Sequence, residues 1–125
     1  MSRNCNILIA GADRLACWGI ERLIAPRRAV VTTVTTGAEV LAEIGRTHYD
    51  SLFLDMDLPD VSAAEVLGEV KQRSPQTRVV ALSQEPTEDV RRLAGDHDGV
   101  HFLGKPLEIP KMTALISSLF EAAAD

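Results

Sequence analysis

The sequence predicts an α/β domain with an open parallel sheet of five strands and helices on both faces of the sheet. Three observations predict this fold. Short apolar runs rich in β-branched residues alternate with longer segments of helical period, and this pattern repeats five times. The chain has 125 residues, the length of one ordinary domain. Every connection between the predicted elements is short, so right-handed crossovers place the strands in one parallel sheet.

The five predicted strands are short, mostly apolar runs, which are typical of strands buried on both faces of a parallel sheet. We therefore expect all five strands to be buried. We also expect the strand order 2-1-3-4-5, with ligands bound beyond the carboxyl ends of the strands. The predicted strands are residues 6–10, 29–34, 51–54, 78–82 and 100–103.

Five amphipathic helices are predicted between and after the strands, because apolar residues recur there at helical spacing. The pairs Thr36/Glu39 and Ser62/Glu65 have the spacing of a capping box and mark the starts of the second and third helices. Pro110 stands where a first-turn proline would open the fifth helix. The apolar helix positions are Ala16, Ile20 and Leu23; Val40, Leu41 and Ile44; Val66, Leu67 and Val70; Val90, Leu93 and Ala94; and Met112, Leu115, Ile116 and Leu119.

Composition excludes several classes of protein. Hydrophobic residues make up 46% of the chain and charged residues 25%, so a disordered chain is excluded. The net charge of −5 argues against a direct nucleic-acid partner. No apolar run approaches the roughly 18 residues that a membrane span requires, so we expect no membrane association. Cys5 and Cys17 have neither metal-ligand nor redox spacing, and we expect a protein of the reducing cytoplasm.

Polar residues gather at the carboxyl ends of four of the predicted strands. Asp13 follows the first strand, Asp55 and Asp57 follow the third, Ser83 follows the fourth, and Lys105 follows the fifth. Because the carboxyl ends of parallel strands meet at one edge of the sheet, these side chains are expected to line one crevice. A carboxylate cluster, a hydroxyl and an ammonium group in one crevice form the main functional signal of the sequence.

Three segments resemble the receiver domain of two-component response regulators, in particular its chemotaxis-receiver-like members. The resemblance covers the whole chain and implies a single receiver domain over residues 1–125, either complete or excised from a longer protein. It also implies a flavodoxin-like three-layer (βα)₅ sandwich. The segments are YDSLFLDMDLP at 49–59, VVALS at 79–83 and FLGKP at 102–106, similar to the family's phosphoacceptor strand, switch hydroxyl strand and switch aromatic with its Lys-Pro pair.

The resemblance implies a signalling module rather than an enzyme. Asp55 would attack the phosphoryl group carried by a histidine kinase or a histidine phosphotransfer protein, which forms an aspartyl phosphate. Lys105 would pair with one phosphoryl oxygen and Ser83 would donate a hydrogen bond to another, while Phe102 would occupy the switch aromatic position. Phosphoryl transfer depends mainly on positioning and charge stabilisation, and Mg²⁺ is the remaining cation that the family implies.

The first strand departs from the family at its carboxyl end. Gly11 and Ala12 occupy the two positions where receivers usually carry the adjacent acids that hold Mg²⁺. We therefore expect weak Mg²⁺ binding through Asp55 and the backbone carbonyl of Asp57. Asp13 is a tentative further ligand, although an N-cap role in the first helix is favoured over a metal role. Without the acid pair, Lys105 could also close the metal-free site by pairing with Asp55.

Two alternative functions stay open from the sequence. A degenerate receiver would bind its partner without phosphorylation. A small phosphatase of the haloacid-dehalogenase type is the remote alternative, because an apolar run before Asp55 and Asp57 also resembles the nucleophile motif of that class; beyond Asp96 and Asp98, no later acidic pair supports it. Trp18 is expected to pack in the first helix and Phe102 in the core, and the three histidines are assigned no role.

The resemblance further implies that signals leave through the surface of the fourth helix, the fifth strand and the fifth helix. Arg91, Arg92 and Lys111 could face that side and pair with an acidic output domain or partner protein. Self-association as a homodimer stays open.

Overall fold

The computed structural model describes residues 5–83, 92, 100–104 and 108–123. The predicted fourth helix, apart from its Arg92, lies outside the described residues. Two predicted functional residues, Lys105 and Arg91, also lie outside them.

The sheet has five parallel strands in the order β2-β1-β3-β4-β5, which confirms the predicted order and the flavodoxin-like class. Four of the five strands extend one residue beyond their predicted bounds. Two of these extra residues are Asp55 and Ser83, which are therefore the last residues of their strands and not the first residues after them. The strands are β1 (Cys5–Ala10), β2 (Ala29–Val34), β3 (Ser51–Asp55), β4 (Arg78–Ser83) and β5 (Val100–Gly104).

Burial separates the central strands from the edge strands. Every residue of β3 is buried, and β1 and β4 are buried except at one position each. The prediction that all five strands are buried is wrong for β2 and β5. In β2 only Val34 is buried and Val30 is 49% exposed, and no residue of β5 is buried. These two strands have a neighbour on one side only, so the layers that flank the sheet cover them less completely.

Two separate cores lie on the two faces of the sheet. One core joins the sheet to α1 (Arg14–Ile24) and to the C-terminal helix (Ile109–Ala123), and the other joins it to α2 (Gly37–Arg46) and α3 (Ala63–Arg73). Strand β1 contributes side chains to both cores, because successive side chains of a strand point to opposite faces. Ile7 and Ile9 enter the first core, and Leu8 and Ala10 enter the second.

The helix starts follow the sequence in part. Thr36 is the N-cap of α2, as predicted, and its Oγ1 accepts from the Glu39 N–H at 3.2 Å. The Glu39 carboxylate accepts from the N–H of Thr35, one residue earlier than a capping box requires. Ser62 is the N-cap of α3, but its exposed side chain makes no capping hydrogen bond, so the predicted box is wrong there. Pro110 lies in the first turn of the C-terminal helix, as predicted.

Trp18 is more exposed than its predicted packing role in the first helix implies. The buried residues of α1 are Cys17, Ile20 and Ile24, and Trp18 lies off this stripe with 56% of its surface exposed. The Arg22 guanidinium lies 5.5 Å from the centre of its ring, a distance that permits a cation–π contact. None of the described helices has the length and apolar character needed to cross a lipid bilayer.

Two glycines of α2 have opposite surroundings, and this contrast gives a stability test. A Cβ at Gly37 would lie 2.1 Å from Cγ2 of Val61, whereas a Cβ at Gly45 would meet nothing within 4 Å. We expect Gly37→Ala to lower the free energy of unfolding by about 1–3 kcal/mol, because a stiff β-branched side chain must move. Gly45→Ala should raise it by about 0.5 kcal/mol, because alanine restricts the unfolded chain.

Urea unfolding followed by circular dichroism measures both variants. If Gly37→Ala were as stable as the Gly45→Ala control, the start of α2 would not be in close contact with the segment that carries Val61.

Candidate functional site

The candidate site lies at the carboxyl edge of the central strands. Asp55 ends β3, and its Cα is paired in register with that of Leu82 in β4. Ser83 ends β4 and is paired with Gly104 in β5. Both side chains are buried, with 7% of Asp55 and 4% of Ser83 exposed. Because β3 and β4 are adjacent and parallel, the structure brings these two predicted site residues to the same edge.

The carboxylate of Asp55 is held by the loop that follows it. The Asp57 N–H donates to Oδ1 of Asp55 at 2.9 Å, two residues away in the chain. The Met56 N–H donates to the Leu82 carbonyl at 2.8 Å, which continues the sheet pairing one residue beyond β3. Since both hydrogen bonds start from backbone groups next to the strand, the loop leaves the sheet in a fixed direction. The side chain of Asp57 itself is exposed.

Gly11 lies directly beside this carboxylate. Its N–H donates to the Val34 carbonyl at 3.0 Å, so it continues the pairing of β1 with β2. A Cβ at Gly11 would lie 3.5 Å from Cβ and 3.6 Å from Oδ2 of Asp55, and 3.3 Å from Sγ of Cys17. A side chain at this position would therefore point at Asp55. An acid at position 11, where the resemblance leads one to expect it, would therefore start within contact distance of Asp55.

The described residues do not fit a fully liganded Mg²⁺ site. Within the part of the chain that the structure describes, no group of three or more His, Cys, Asp or Glu side chains is placed to hold a metal ion. Mg²⁺ prefers an octahedral set of oxygen ligands, and Gly11, which lies beside Asp55, supplies no carboxylate.

Asp13 caps α1. Its Oδ1 accepts from the N–H groups of Leu15 and Ala16 at 3.0 and 3.2 Å, so the predicted N-cap role is confirmed. Its role as a metal ligand stays a prediction, as does the role of the Asp57 carbonyl.

Phe102 lies on edge strand β5, where its Cα is paired in register with that of Ala81. It is half-buried and not a fully buried core residue, because β5 has a neighbour on one side only. Gly104 ends this strand beside Ser83, and Lys105 is the next residue in the sequence.

Asp60, which no sequence pattern singled out, joins this loop to the start of α2. Its Oδ1 accepts from the Gly37 N–H at 2.8 Å and its Oδ2 accepts from the Ala38 N–H at 3.0 Å. These two backbone donors hold the pKa of Asp60 below its usual value, because they stabilise the ionised carboxylate. No local pattern around Asp60 indicates this contact, since its partners lie 22 and 23 residues away.

Comparison with known proteins agrees with this geometry. The family model described as the response regulator receiver domain matches residues 7–117. The regulatory protein LuxO of Vibrio cholerae is 30% identical over 94 residues, which cover 75% of this chain and 21% of LuxO. The DNA-binding transcriptional regulator NtrC of Escherichia coli K12 is 29% identical over 110 residues, which cover 88% of this chain and 24% of NtrC. The chain therefore spans less than a quarter of these relatives.

Solved structures give the same fold. The signal receiver domain of an HD domain-containing protein from Pseudomonas fluorescens Pf-5 superposes with a TM-score of 0.87 at 16% identity, and the match covers 98% of this chain and 91% of that one. At this identity the likeness concerns the fold alone. The match of the family model over most of the chain is what identifies it, and the chain belongs to the receiver domain family of response regulators.

Proposed function

We propose that this receiver domain accepts a phosphoryl group on Asp55 from the phosphohistidine of a histidine kinase or a histidine phosphotransfer protein. The observation that carries the proposal is the position of Asp55. It is a buried carboxylate at the end of a central strand, its Oδ1 is held by the Asp57 N–H, and its Oδ2 lies beside the small residue Gly11. A nucleophile whose orientation is fixed at one oxygen suits attack on a phosphorus atom.

In the proposed reaction, a bond forms between a carboxylate oxygen of Asp55 and phosphorus while the bond from phosphorus to the histidine nitrogen breaks. The product is an acyl phosphate. Charge on the phosphoryl oxygens must be stabilised during this transfer. The Ser83 hydroxyl, which ends the neighbouring strand, is the proposed donor to one oxygen, and the Lys105 ammonium is the proposed cation. Phe102, which is half-buried on edge strand β5, is the proposed switch aromatic.

Mg²⁺ is the metal that the receiver family implies, and we propose that it binds weakly here. Asp55 and the backbone carbonyl of Asp57 would be its protein ligands, and the bound ion would supply positive charge. Asp13 is a less favourable ligand because its Oδ1 already accepts two hydrogen bonds from α1. The positions held by Gly11 and Ala12 add no carboxylate.

The match to the family model favours this function over both alternatives. The hypothesis of a phosphorylation-independent module is supported by the missing acid pair alone. The hypothesis of a haloacid-dehalogenase-like phosphatase is supported by a motif that the receiver family also explains. The relatives of this chain include the sensor protein ArcB of E. coli. The two are 30% identical over 99 residues, which cover 76% of this chain and 12% of ArcB. The kinase, the output domain and self-association as a homodimer stay predictions.

Phosphorylation is tested by intact mass after incubation with a small phosphodonor and Mg²⁺. We expect an increase of one phosphoryl group that hydroxylamine removes, as it does for acyl phosphates, and that is absent in Asp55→Asn. Asp50→Asn is the matched control, because Asp50 precedes the same strand at the opposite edge and accepts from the Asn6 N–H. No increase in the wild type, or an increase retained in Asp55→Asn, would contradict the proposal.

Restoring the acids tests why the metal site is weak. We expect the double variant Gly11→Asp with Ala12→Asp to bind Mg²⁺ more tightly and to be phosphorylated faster than the wild type. Without metal its melting temperature should fall, because carboxylates about 4 Å apart repel by roughly 4 kcal/mol at an effective dielectric constant near 20, before screening. Mg²⁺ should reverse this fall.

The control for this variant is Gly11→Asn with Ala12→Asn, which adds side chains of similar shape without charge. The asparagine variant should show any fall in melting temperature that results from contact with Cys17, but Mg²⁺ should not reverse that fall. Equal Mg²⁺ affinity in the wild type and the aspartate variant, measured by calorimetry, would show that other ligands already complete the site.

The proposed output surface includes β5 and the C-terminal helix. Arg92 and Lys111 are exposed, and the Lys111 ammonium lies 3.4 Å from the Glu108 carboxylate. We expect Arg92→Glu with Lys111→Glu to slow association with an acidic partner roughly tenfold at low salt, since opposite charges steer encounter. Arg73→Glu, on α3 at the other face of the sheet, is the control. Equal association rates for the two variants would place the partner elsewhere.

A further inference from the structure

The first turn of α2 is capped mostly from outside its own segment. After the N-cap residue, the first three N–H groups of a helix have no partner within the helix and need other acceptors. The N–H groups of Gly37 and Ala38 donate to the two carboxylate oxygens of Asp60, and the N–H of Glu39 donates to Thr36. The next N–H, of Val40, makes the first bond within the helix, to the Thr36 carbonyl. Asp60 therefore satisfies two of the three donors.

Close packing accompanies these hydrogen bonds. The loop between β3 and α3 lies so near Gly37 that a Cβ there would overlap Val61, at 2.1 Å. Val61, Leu58 and Met56 are partly buried against the core that α2 and α3 share. The apolar residues of the loop thus face this core, while Asp60 binds the start of α2. The loop is attached to α2 by both contacts.

The loop is also attached at its other end, next to the phosphoacceptor. Only four residues separate Asp55 from Asp60. At the Asp55 end, the Met56 N–H is bound to β4 and the Asp57 N–H to Oδ1 of Asp55. A segment this short, with both ends fixed, has few conformations available to it. The place of the Asp57 N–H on Asp55 therefore depends on the attachment at Asp60.

We propose that Asp60 is a positioning residue for phosphoryl transfer: by binding the N-terminus of α2, it holds the loop so that the Asp57 N–H fixes the orientation of the Asp55 carboxylate. The inference rests on the proposed function of Asp55, since the reaction it serves is phosphorylation there. A purely structural cap of α2 is the competing explanation, and the two make different predictions.

The charge of Asp60 suits this role. Hydrogen bonds from Gly37 and then Ala38 lower its pKa from the ordinary value of 3.8. Because the folded pKa lies below the unfolded one, the carboxylate stabilises the fold above the unfolded pKa, and this contribution is lost as the pH falls through the folded pKa. The neighbouring Glu39, whose pKa is lowered chiefly by the Thr35 N–H, is likewise ionised. At neutral pH the attachment is therefore intact.

The test compares Asp60→Ala with Thr36→Ala, because both remove an acceptor from the first turn of α2 but Thr36 makes none of the described contacts to the loop. Both variants should be less stable than the wild type. If Asp60 positions the loop, Asp60→Ala slows phosphorylation by a small phosphodonor roughly tenfold or more, while Thr36→Ala stays within about twofold of the wild type. Asp60→Asn retains one acceptor oxygen and should have an intermediate rate. Equal rates for the two alanine variants would overturn the proposal.

Backbone NMR relaxation provides a second measurement that does not require phosphorylation. In Asp60→Ala we expect the order parameter of the Asp57 amide to fall into the flexible range below about 0.6, and in Thr36→Ala to remain near the wild-type value. An unchanged Asp57 amide in Asp60→Ala would refute the positioning role. If instead the wild type gains no phosphoryl mass, the function proposed for Asp55 fails, and the relaxation data still decide whether Asp60 holds the loop.

Discussion

The site depends on the burial of one short strand. Every residue of β3 is buried, and the strand is paired on both sides, with β1 and with β4. A carboxylate can end such a strand only if its charge is compensated, because burying an unpaired charge is costly. At Asp55 the compensation includes the N–H of Asp57, which the chain supplies as it turns away from the sheet. The direction of the loop and the orientation of the carboxylate are thus set by the same hydrogen bond.

The two sides of this loop differ in how repulsion between acidic side chains is avoided. On the β1 side, Gly11 lies next to Asp55 and Ala12 follows it in the chain, so no carboxylate from positions 11 or 12 repels Asp55. On the α2 side, Asp60 carries a charge, but two backbone N–H groups of a helix N-terminus donate hydrogen bonds to its carboxylate. Without a bound cation, the site therefore has less internal repulsion than it would have with acids at positions 11 and 12. A receiver with the usual acid pair would depend more on a metal for the same stability.

The sequence was sufficient to predict the strands and their order, because short apolar runs joined by short connections favour one parallel topology. It was also sufficient to place Asp55 and Ser83 at the same edge, since both end adjacent parallel strands. It was insufficient where burial depends on neighbours: β2 and β5 have apolar sequences but lie at the edges of the sheet, and Trp18 is off the buried stripe of α1. The contact from Asp60 to α2 joins segments more than 20 residues apart, so no local pattern encodes it.

The alternation of side chains in β1 has a consequence for how the domain unfolds. Ile7 and Ile9 belong to the core under α1 and the C-terminal helix, while Leu8 and Ala10, between and after them in the chain, belong to the core under α2 and α3. β3 is shared in the same way, because Phe53 enters the first core and Leu52 and Leu54 enter the second. Neither core can lose these strands without the other losing them too. The two cores are therefore expected to unfold in one cooperative transition. Loss of packing on the face of α2 should also destabilise the face of α1, because the two faces share these strands.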